Sequence, residues 1–104
     1  MDLHKFIRDI KDFPKEGIVF KDITPLLIDP KAFDHTIDVL AARYRDQDFS
    51  KILAIESRGF IFGTAVATSL SVGFVPIRKP GRLPAATHSC EYELEYGMDK
   101  VEIH

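Results

Sequence analysis

The hydrophobic positions of this chain alternate between helix-like stripes and short strand-like runs. Within residues 3–10, apolar side chains recur at spacings of three and four, which predicts a short amphipathic helix. Asp29 and Pro30 form a typical helix start, and the apolar positions after them predict a helix through about Arg45. The intervening segment has the prolines and glycine of a loop, but its apolar run at 18–20 requires a packing partner.

The second half of the pattern predicts a parallel sheet. Continuous apolar runs at 51–55 and 74–77 are typical of strands buried on both faces, and residues 59–70 between them suit a helix. A strand, a helix and a strand at this spacing predict a right-handed βαβ unit, so the fold class is α/β. Weak alternation at 90–94 and 99–103 indicates two further strands.

Composition, net charge and cysteine content limit the number of domains, the partners and the cellular compartment that we expect. The 104 residues are 45% hydrophobic and 29% charged, which suits one globular domain with a modest core. The formal net charge of −2 gives no electrostatic reason to expect nucleic acid or an anionic membrane as partner. With a single cysteine, no signal peptide and no apolar run of spanning length, we expect a cytoplasmic protein.

The strongest chemical signal is the turn after the first apolar strand, Glu56-Ser57-Arg58-Gly59. In open parallel sheets, ligands bind beyond the carboxyl ends of strands, where helix N-termini favour anions. Gly59 lets the main chain approach a bound anion closely, and Arg58 can donate forked hydrogen bonds to phosphate oxygens. The turn therefore predicts a phosphate or pyrophosphate site, unless Arg58 merely pairs with Glu56.

A second cationic group follows the next strand. Arg78, Lys79 and Arg82 are followed by no acidic residue before Ser89, so no local charge neutralises them. If the two strands are parallel neighbours, both cationic turns face one anion at the same sheet edge. Alternatively, Arg78 and Arg82 are solvated surface charges.

Four segments resemble, in order, the successive blocks of adenine phosphoribosyltransferases. They are FPKEGIVFKDITPLL (13–27), IESRGFIFG (55–63), GFVPIRKPGRLP (73–84) and YELEYGMDKVEIH (92–104). The resemblance implies a Rossmann-like parallel sheet of the type I phosphoribosyltransferase kind, incomplete because the C-terminal strands and helices are missing. It divides this single partial domain into an N-terminal helix and base-covering hood at 1–27 and a partial core at 28–104, with a flexible catalytic loop at about 81–97.

The resemblance also implies the chemistry. The family transfers ribose 5-phosphate from phosphoribosyl pyrophosphate to adenine, giving AMP and pyrophosphate with Mg²⁺ on the phosphates, and forms homodimers. By this resemblance Arg58 and Lys79 contact pyrophosphate. Ser57, Gly59, Arg78 and Arg82 stand beside them in the family's pyrophosphate-binding segments.

The resemblance assigns the base and the catalytic group as well. Val19, Phe20 and Lys21 match the hood over adenine, although Phe20 could instead be a core residue. Glu95 and Tyr96 match the catalytic loop, where the glutamate faces N7 of adenine and gives general acid–base help.

The chain departs from the family in lacking the acidic pair and the Thr- and Gly-rich loop that bind the ribose phosphate. We therefore expect the 104 residues alone to be poorly stable, with exposed apolar area, and nearly inactive. Two alternatives stay open: a non-catalytic nucleotide-sensing module or degenerate partner subunit, and an enzyme for an oxo purine such as xanthine. Cys90 and the four histidines show no metal-ligand spacing, so no protein-bound metal is predicted.

Overall fold

A computed structural model describes residues 1–94 and 97–104 of the chain. The chain divides into two compact units, Met1–Arg43 and Tyr44–His104, and each is described by itself. Among the described residues, no helix combines the length and the apolar content that crossing a membrane requires.

The first unit begins with a hairpin. A short 3-10 helix, Leu3–Phe6, is followed by strand β1 (Arg8–Lys11), which pairs antiparallel with strand β2 (Val19–Asp22). The predicted amphipathic helix at 3–10 is therefore wrong beyond Phe6. Eight residues are too few for local periodicity to outweigh pairing with β2, and β1 is in turn the partner of the apolar run at 18–20.

Polar contacts secure this hairpin and its junction with the next helix. Arg8 Nε donates to Asp22 Oδ2 over 3.0 Å, and Asp22 Oδ1 accepts from the Thr24 amide at 2.9 Å and the Thr24 hydroxyl at 2.7 Å. The Thr24 hydrogen bonds and then Arg8 lower the pKa of Asp22 to about 2. A carboxylate thus joins the end of β2 to helix α1 (Thr24–Ile28), which begins at Thr24.

Helix α2 (Pro30–Tyr44) begins where the sequence predicts. Asp29 Oδ1 accepts hydrogen bonds from the amides of Lys31 at 3.0 Å and Ala32 at 2.9 Å, so it is the N-cap of this helix. The buried positions are Ala32, Ile37 and Ala41. These two amides in the first turn have no acceptor within the helix, and Asp29 supplies one. The predicted helix start is therefore confirmed.

The second unit contains the predicted βαβ motif. Strand β3 (Lys51–Ile55), helix α3 (Arg58–Leu70) and strand β4 (Gly73–Ile77) follow one another, and the two strands pair in parallel. Ile55 lies opposite Ile77 at the carboxyl ends of the strands. The α/β class and the parallel sheet are therefore confirmed, and the turns after β3 and β4 leave the sheet at the same edge.

The prediction that both strands are buried on both faces is wrong for β3. Leu53 and Ile55 are 52% and 51% exposed, whereas Ile52 and Ala54 are half-buried. Successive side chains of a strand point to opposite faces, and the residues that alternate with Leu53 lie on the α3 side, where Ala54 approaches Gly63. The expected exposure of apolar area is confirmed at these two side chains.

Gly63 lies where α3 packs closely against the sheet. A Cβ at this position would lie 2.7 Å from Ala54 Cβ and 2.8 Å from Phe74 Cε1. We expect Gly63→Ala to lower the free energy of unfolding by about 1–3 kcal/mol, because overpacking outweighs the gain in helix propensity. Denaturant unfolding of the two proteins measures this difference.

Gly59→Ala is the matched control for Gly63→Ala. Gly59 lies on the same helix, and a Cβ there would meet Ala54 Cβ at 3.5 Å, an ordinary contact. This variant should unfold at the same denaturant concentration as the parent protein or slightly above it. Equal stability of the two alanine variants would contradict the packing argument.

A second hairpin completes this unit. Strand β5 (His88–Leu94) pairs antiparallel with strand β6 (Gly97–Ile103), which confirms the two further strands. Residues 88–94, which lie within the catalytic loop expected at about 81–97, pair with β6 along their whole length. The backbone of Glu102 also bridges Arg78, which attaches β6 to the end of β4.

Candidate functional site

The predicted anion site begins at the turn between β3 and α3. Helix α3 starts at Arg58, Ser57 is at its N-cap position, and the Glu56–Ser57 peptide bond is cis. Gly59 is in the first turn of the helix, where packing within the unit does not require glycine. The structure thus places Ser57, Arg58 and Gly59 together at a helix N-terminus, where main-chain amides favour an anion.

Glu56 connects this turn to the one after β4. Its Oε1 atom accepts a hydrogen bond from the Lys79 amide at 2.7 Å and one from Arg78 Nε at 3.3 Å. The Glu56 side chain is only 15% exposed. The prediction that the two turns lie side by side is confirmed by these contacts, which join residues 23 and 22 positions apart in the chain.

These contacts also set the charge state of Glu56. The hydrogen bond from the Lys79 amide, followed by the charge of Arg78, keeps the pKa of Glu56 below its ordinary value. Glu56 is therefore a carboxylate at neutral pH, and the main-chain amide it holds belongs to the lysine predicted to contact pyrophosphate.

Arg78 has an acidic partner that the sequence did not suggest for it. Its guanidinium pairs with Glu56, donates to the Arg82 carbonyl at 3.4 Å and lies 5.8 Å from the centroid of the Phe60 ring. The expectation that no acidic residue neutralises this cationic cluster is therefore wrong for Arg78. The residues that follow Arg78 include no acid before Ser89, but the parallel pairing brings Glu56 from the turn after β3.

Lys79 and Arg82 share one turn, in which the Arg82 amide donates to the Lys79 carbonyl at 3.3 Å. Both side chains act electrostatically on the acids around them. The charge of Arg82 contributes to the lowered pKa of Glu56, after the hydrogen bonds and Arg78. The charge of Lys79 contributes to the lowered pKa of Asp99, after the Lys100 amide and the Tyr92 hydroxyl.

The predicted base-binding residues lie in the first unit, on strand β2 and not in a loop. Val19 is 53% exposed, and Lys21 Nζ pairs with Asp9 Oδ1 at 2.7 Å across the hairpin. Phe20 is half-buried, and its ring meets the Phe13 ring edge-on with centroids 5.1 Å apart. Because successive side chains of a strand point to opposite faces, Phe20 lies on the face opposite to Val19 and Lys21. The predicted loop conformation did not specify these two faces.

Glu95 and Tyr96 lie outside the described residues, so their predicted catalytic roles stay predictions. The strands on either side of them end at Leu94 and begin at Gly97, which are paired with each other.

Sequence reasoning missed Glu102 as a residue of this region. Its carboxylate accepts from the Gly81 amide at 2.7 Å and from the Thr87 hydroxyl at 2.9 Å. The available signal was the alternation in the predicted strand, which separates Glu102 from the apolar positions Val101 and Ile103. His104 Nε2 lies 2.6 Å from the Pro84 carbonyl oxygen, which accepts a hydrogen bond from it.

The acidic side chains near the cationic turns are already engaged. Glu56 and Glu102 accept hydrogen bonds from main-chain amides, and within residues 1–94 and 97–104 no three His, Cys, Asp or Glu side chains are grouped as metal ligands. These two carboxylates therefore hold the main chain of the turn after β4.

Comparisons with known proteins agree on one family, although no protein-family model matches the chain. It is 62% identical over 104 residues to the adenine phosphoribosyltransferase of Maridesulfovibrio salexigens, an alignment that covers 100% of this chain and 61% of the relative. The chain thus spans about three-fifths of the length of that relative.

Comparison with solved structures points to the same family. The crystal structure of adenine phosphoribosyltransferase from Thermoanaerobacter pseudethanolicus superimposes with a TM-score of 0.93 at 58% identity, covering 98% of this chain and 59% of that chain. The Saccharomyces cerevisiae enzyme, complexed with an imino-altritol bisphosphate and adenine, has a TM-score of 0.88 at 40% identity, covering 97% and 60%. The predicted fold, a partial sheet of the type I phosphoribosyltransferase kind, is confirmed.

Proposed function

Because this chain belongs to the adenine phosphoribosyltransferase family, we propose that the whole protein transfers ribose 5-phosphate from phosphoribosyl pyrophosphate to adenine, forming AMP and pyrophosphate in purine salvage. The observation that carries this proposal is the hydrogen bond from the Lys79 amide to Glu56 Oε1. It brings two cationic turns together at one sheet edge, where a diphosphate can be held between them.

Pyrophosphate is the leaving group of this reaction. Cleavage of its bond to C1′ builds positive charge on the sugar and negative charge on the departing oxygens. Arg58, Ser57 and Gly59 would bind these oxygens from the start of α3, and Lys79 and Arg82 would do so from the opposite turn. Fixed cations and amides stabilise this developing charge without reorganising during the reaction.

Arg78 has a secondary role in this proposal. Its side chain already contacts Glu56, the Arg82 carbonyl and the Phe60 ring, so it shapes the turn and adds positive potential. Mg²⁺ bound to phosphoribosyl pyrophosphate would supply further charge neutralisation on the phosphates.

Adenine binding is proposed for strand β2. Among the described strands, β2 pairs only with β1, so main-chain groups on its other edge are available to a ligand. Amides and carbonyls at Val19 and Lys21 can read the donor and acceptor pattern of a flat base, and Phe20 offers stacking area. The yeast relative was solved with adenine, which supports a base of this type.

Glu95 is proposed as the catalytic residue. A carboxyl group within hydrogen-bond reach of N7 can share a proton with the purine while N9 attacks the sugar. Tyr96 would accompany it in the loop that closes over the substrates. A homodimer in the cytoplasm completes the proposal, in which the 104 residues alone have little activity.

Substrate competition tests the proposed function. The whole protein is incubated with phosphoribosyl pyrophosphate, Mg²⁺ and either adenine, hypoxanthine or xanthine, and nucleotide formation is followed. We expect kcat/KM for adenine to exceed the other two by at least about 100-fold, because a site that hydrogen-bonds an exocyclic amine leaves polar groups unpaired with an oxo purine. Equal turnover of all three bases would remove the specificity, and binding of nucleotides without turnover would favour a sensing module.

A further inference from the structure

The loop between β4 and β5 begins and ends beside one residue of β6. We call residues 78–87 the corner loop. At its start, Arg78 and Glu102 exchange two main-chain hydrogen bonds of 2.9 and 2.7 Å. Just beyond its end, Ser89 lies opposite Glu102 in the β5–β6 register. Glu102 therefore stands between the two ends of the loop.

The side chain of Glu102 bridges the same two ends. One carboxylate oxygen accepts from the Gly81 amide at 2.7 Å, and the other accepts from the Thr87 hydroxyl at 2.9 Å. The Gly81 hydrogen bond, followed by that of Thr87, keeps the pKa of Glu102 below its ordinary value, so the group is charged at neutral pH. Gly81 has φ +79°, a conformation that glycine adopts without strain.

Lys79 lies between two carboxylates because of this arrangement. Its own amide donates to Glu56, Pro80 has no amide hydrogen, and the Gly81 amide donates to Glu102. The main chain is thus held at the lysine itself and again two residues after it. Since these amides are engaged, an anion at this corner would be bound through side chains, chiefly the Lys79 ammonium group.

We propose that Glu102 is a positioning residue, whose carboxylate closes the corner loop and thereby holds Lys79 beside the Glu56 turn for pyrophosphate. This inference rests on the proposed function for its consequence, but its geometry can be tested without substrate. His104, the residue after β6, supports the same loop through its contact with the Pro84 carbonyl. The corner loop is held at Gly81, Pro84 and Thr87.

Amide hydrogen exchange of the whole protein, measured by NMR without ligand, tests the contact. In Glu102→Ala the Gly81 amide is expected to exchange about 10- to 100-fold faster, because a charge-assisted hydrogen bond has been removed. Glu102→Gln retains a carbonyl acceptor and should recover most of the protection. The Gly73 amide, which donates to the Ser50 carbonyl at 3.2 Å, reports whether the β3–β4 pair is intact. Glu93→Ala, at an exposed position in the same hairpin as Glu102, is the control.

Kinetics test the consequence for binding. In Glu102→Ala the KM for phosphoribosyl pyrophosphate should rise about tenfold while the KM for adenine stays constant, and Glu102→Gln should restore the first value. Unchanged Gly81 exchange with a protected core would overturn the proposal, as would faster exchange with an unchanged KM. If the parent protein has no transferase activity, the proposed function fails, and the exchange result still decides whether Glu102 holds the loop.

Discussion

Replacement of Lys79 by methionine should lower kcat/KM for phosphoribosyl pyrophosphate by about 100- to 1,000-fold, which is typical for loss of one preorganised charge at a leaving group. The lysine follows a strand end, and Glu56 holds its amide at 2.7 Å, so the position of its Cα is fixed before substrate arrives. Methionine keeps the unbranched stem and removes only the charge. Steady-state kinetics with the donor varied at saturating adenine measure the effect.

Lys51→Met is the matched control for this variant. Lys51 is exposed and begins β3, so it lies at the opposite edge of the parallel sheet from Lys79. The same loss of charge there should leave kcat/KM within about twofold, because exposed charges on this scale are screened. Similar losses in both variants would mean that net charge, and not a site at the carboxyl edge, controls donor use.

Replacement of Glu95 by glutamine is expected to lower kcat about 100- to 10,000-fold, with a smaller change in the KM for adenine. Glutamine has the same shape and can still donate a hydrogen bond, but it cannot take up or release a proton. The limb of the pH–rate profile that depends on this carboxyl group should disappear together with the rate. Measurement of kcat across pH for both proteins checks the two effects at once.

Glu93→Gln provides the comparison for Glu95. Glu93 is exposed on β5, two residues before Glu95, and lies opposite Met98. Its replacement should change neither kcat nor the pH–rate profile. Retention of full activity by Glu95→Gln would exclude the acid–base role and leave the family assignment untouched.

The first unit shows where local patterns fail. An apolar spacing of three and four within residues 3–10 predicts a helix, yet Arg8–Lys11 pairs with Val19–Asp22. Cross-strand contacts such as Lys21 with Asp9 depend on residues 12 positions apart, which no short window of sequence contains. The hood residues on β2 consequently alternate between two faces, which a loop assignment could not show.

The sequence by itself determined the parts of the protein that depend on neighbouring residues. Asp29 caps α2 through amides two and three positions away, and the strand–helix–strand spacing dictates a parallel pair whose turns share one edge. Only the tertiary structure decided which charges meet at that edge. Arg78 pairs with Glu56, and Glu102 holds the Gly81 amide, over separations of 22 and 21 residues. Such partners are chosen by strand register, because hydrogen bonds require a fit of a few tenths of an ångström that residue types alone do not specify.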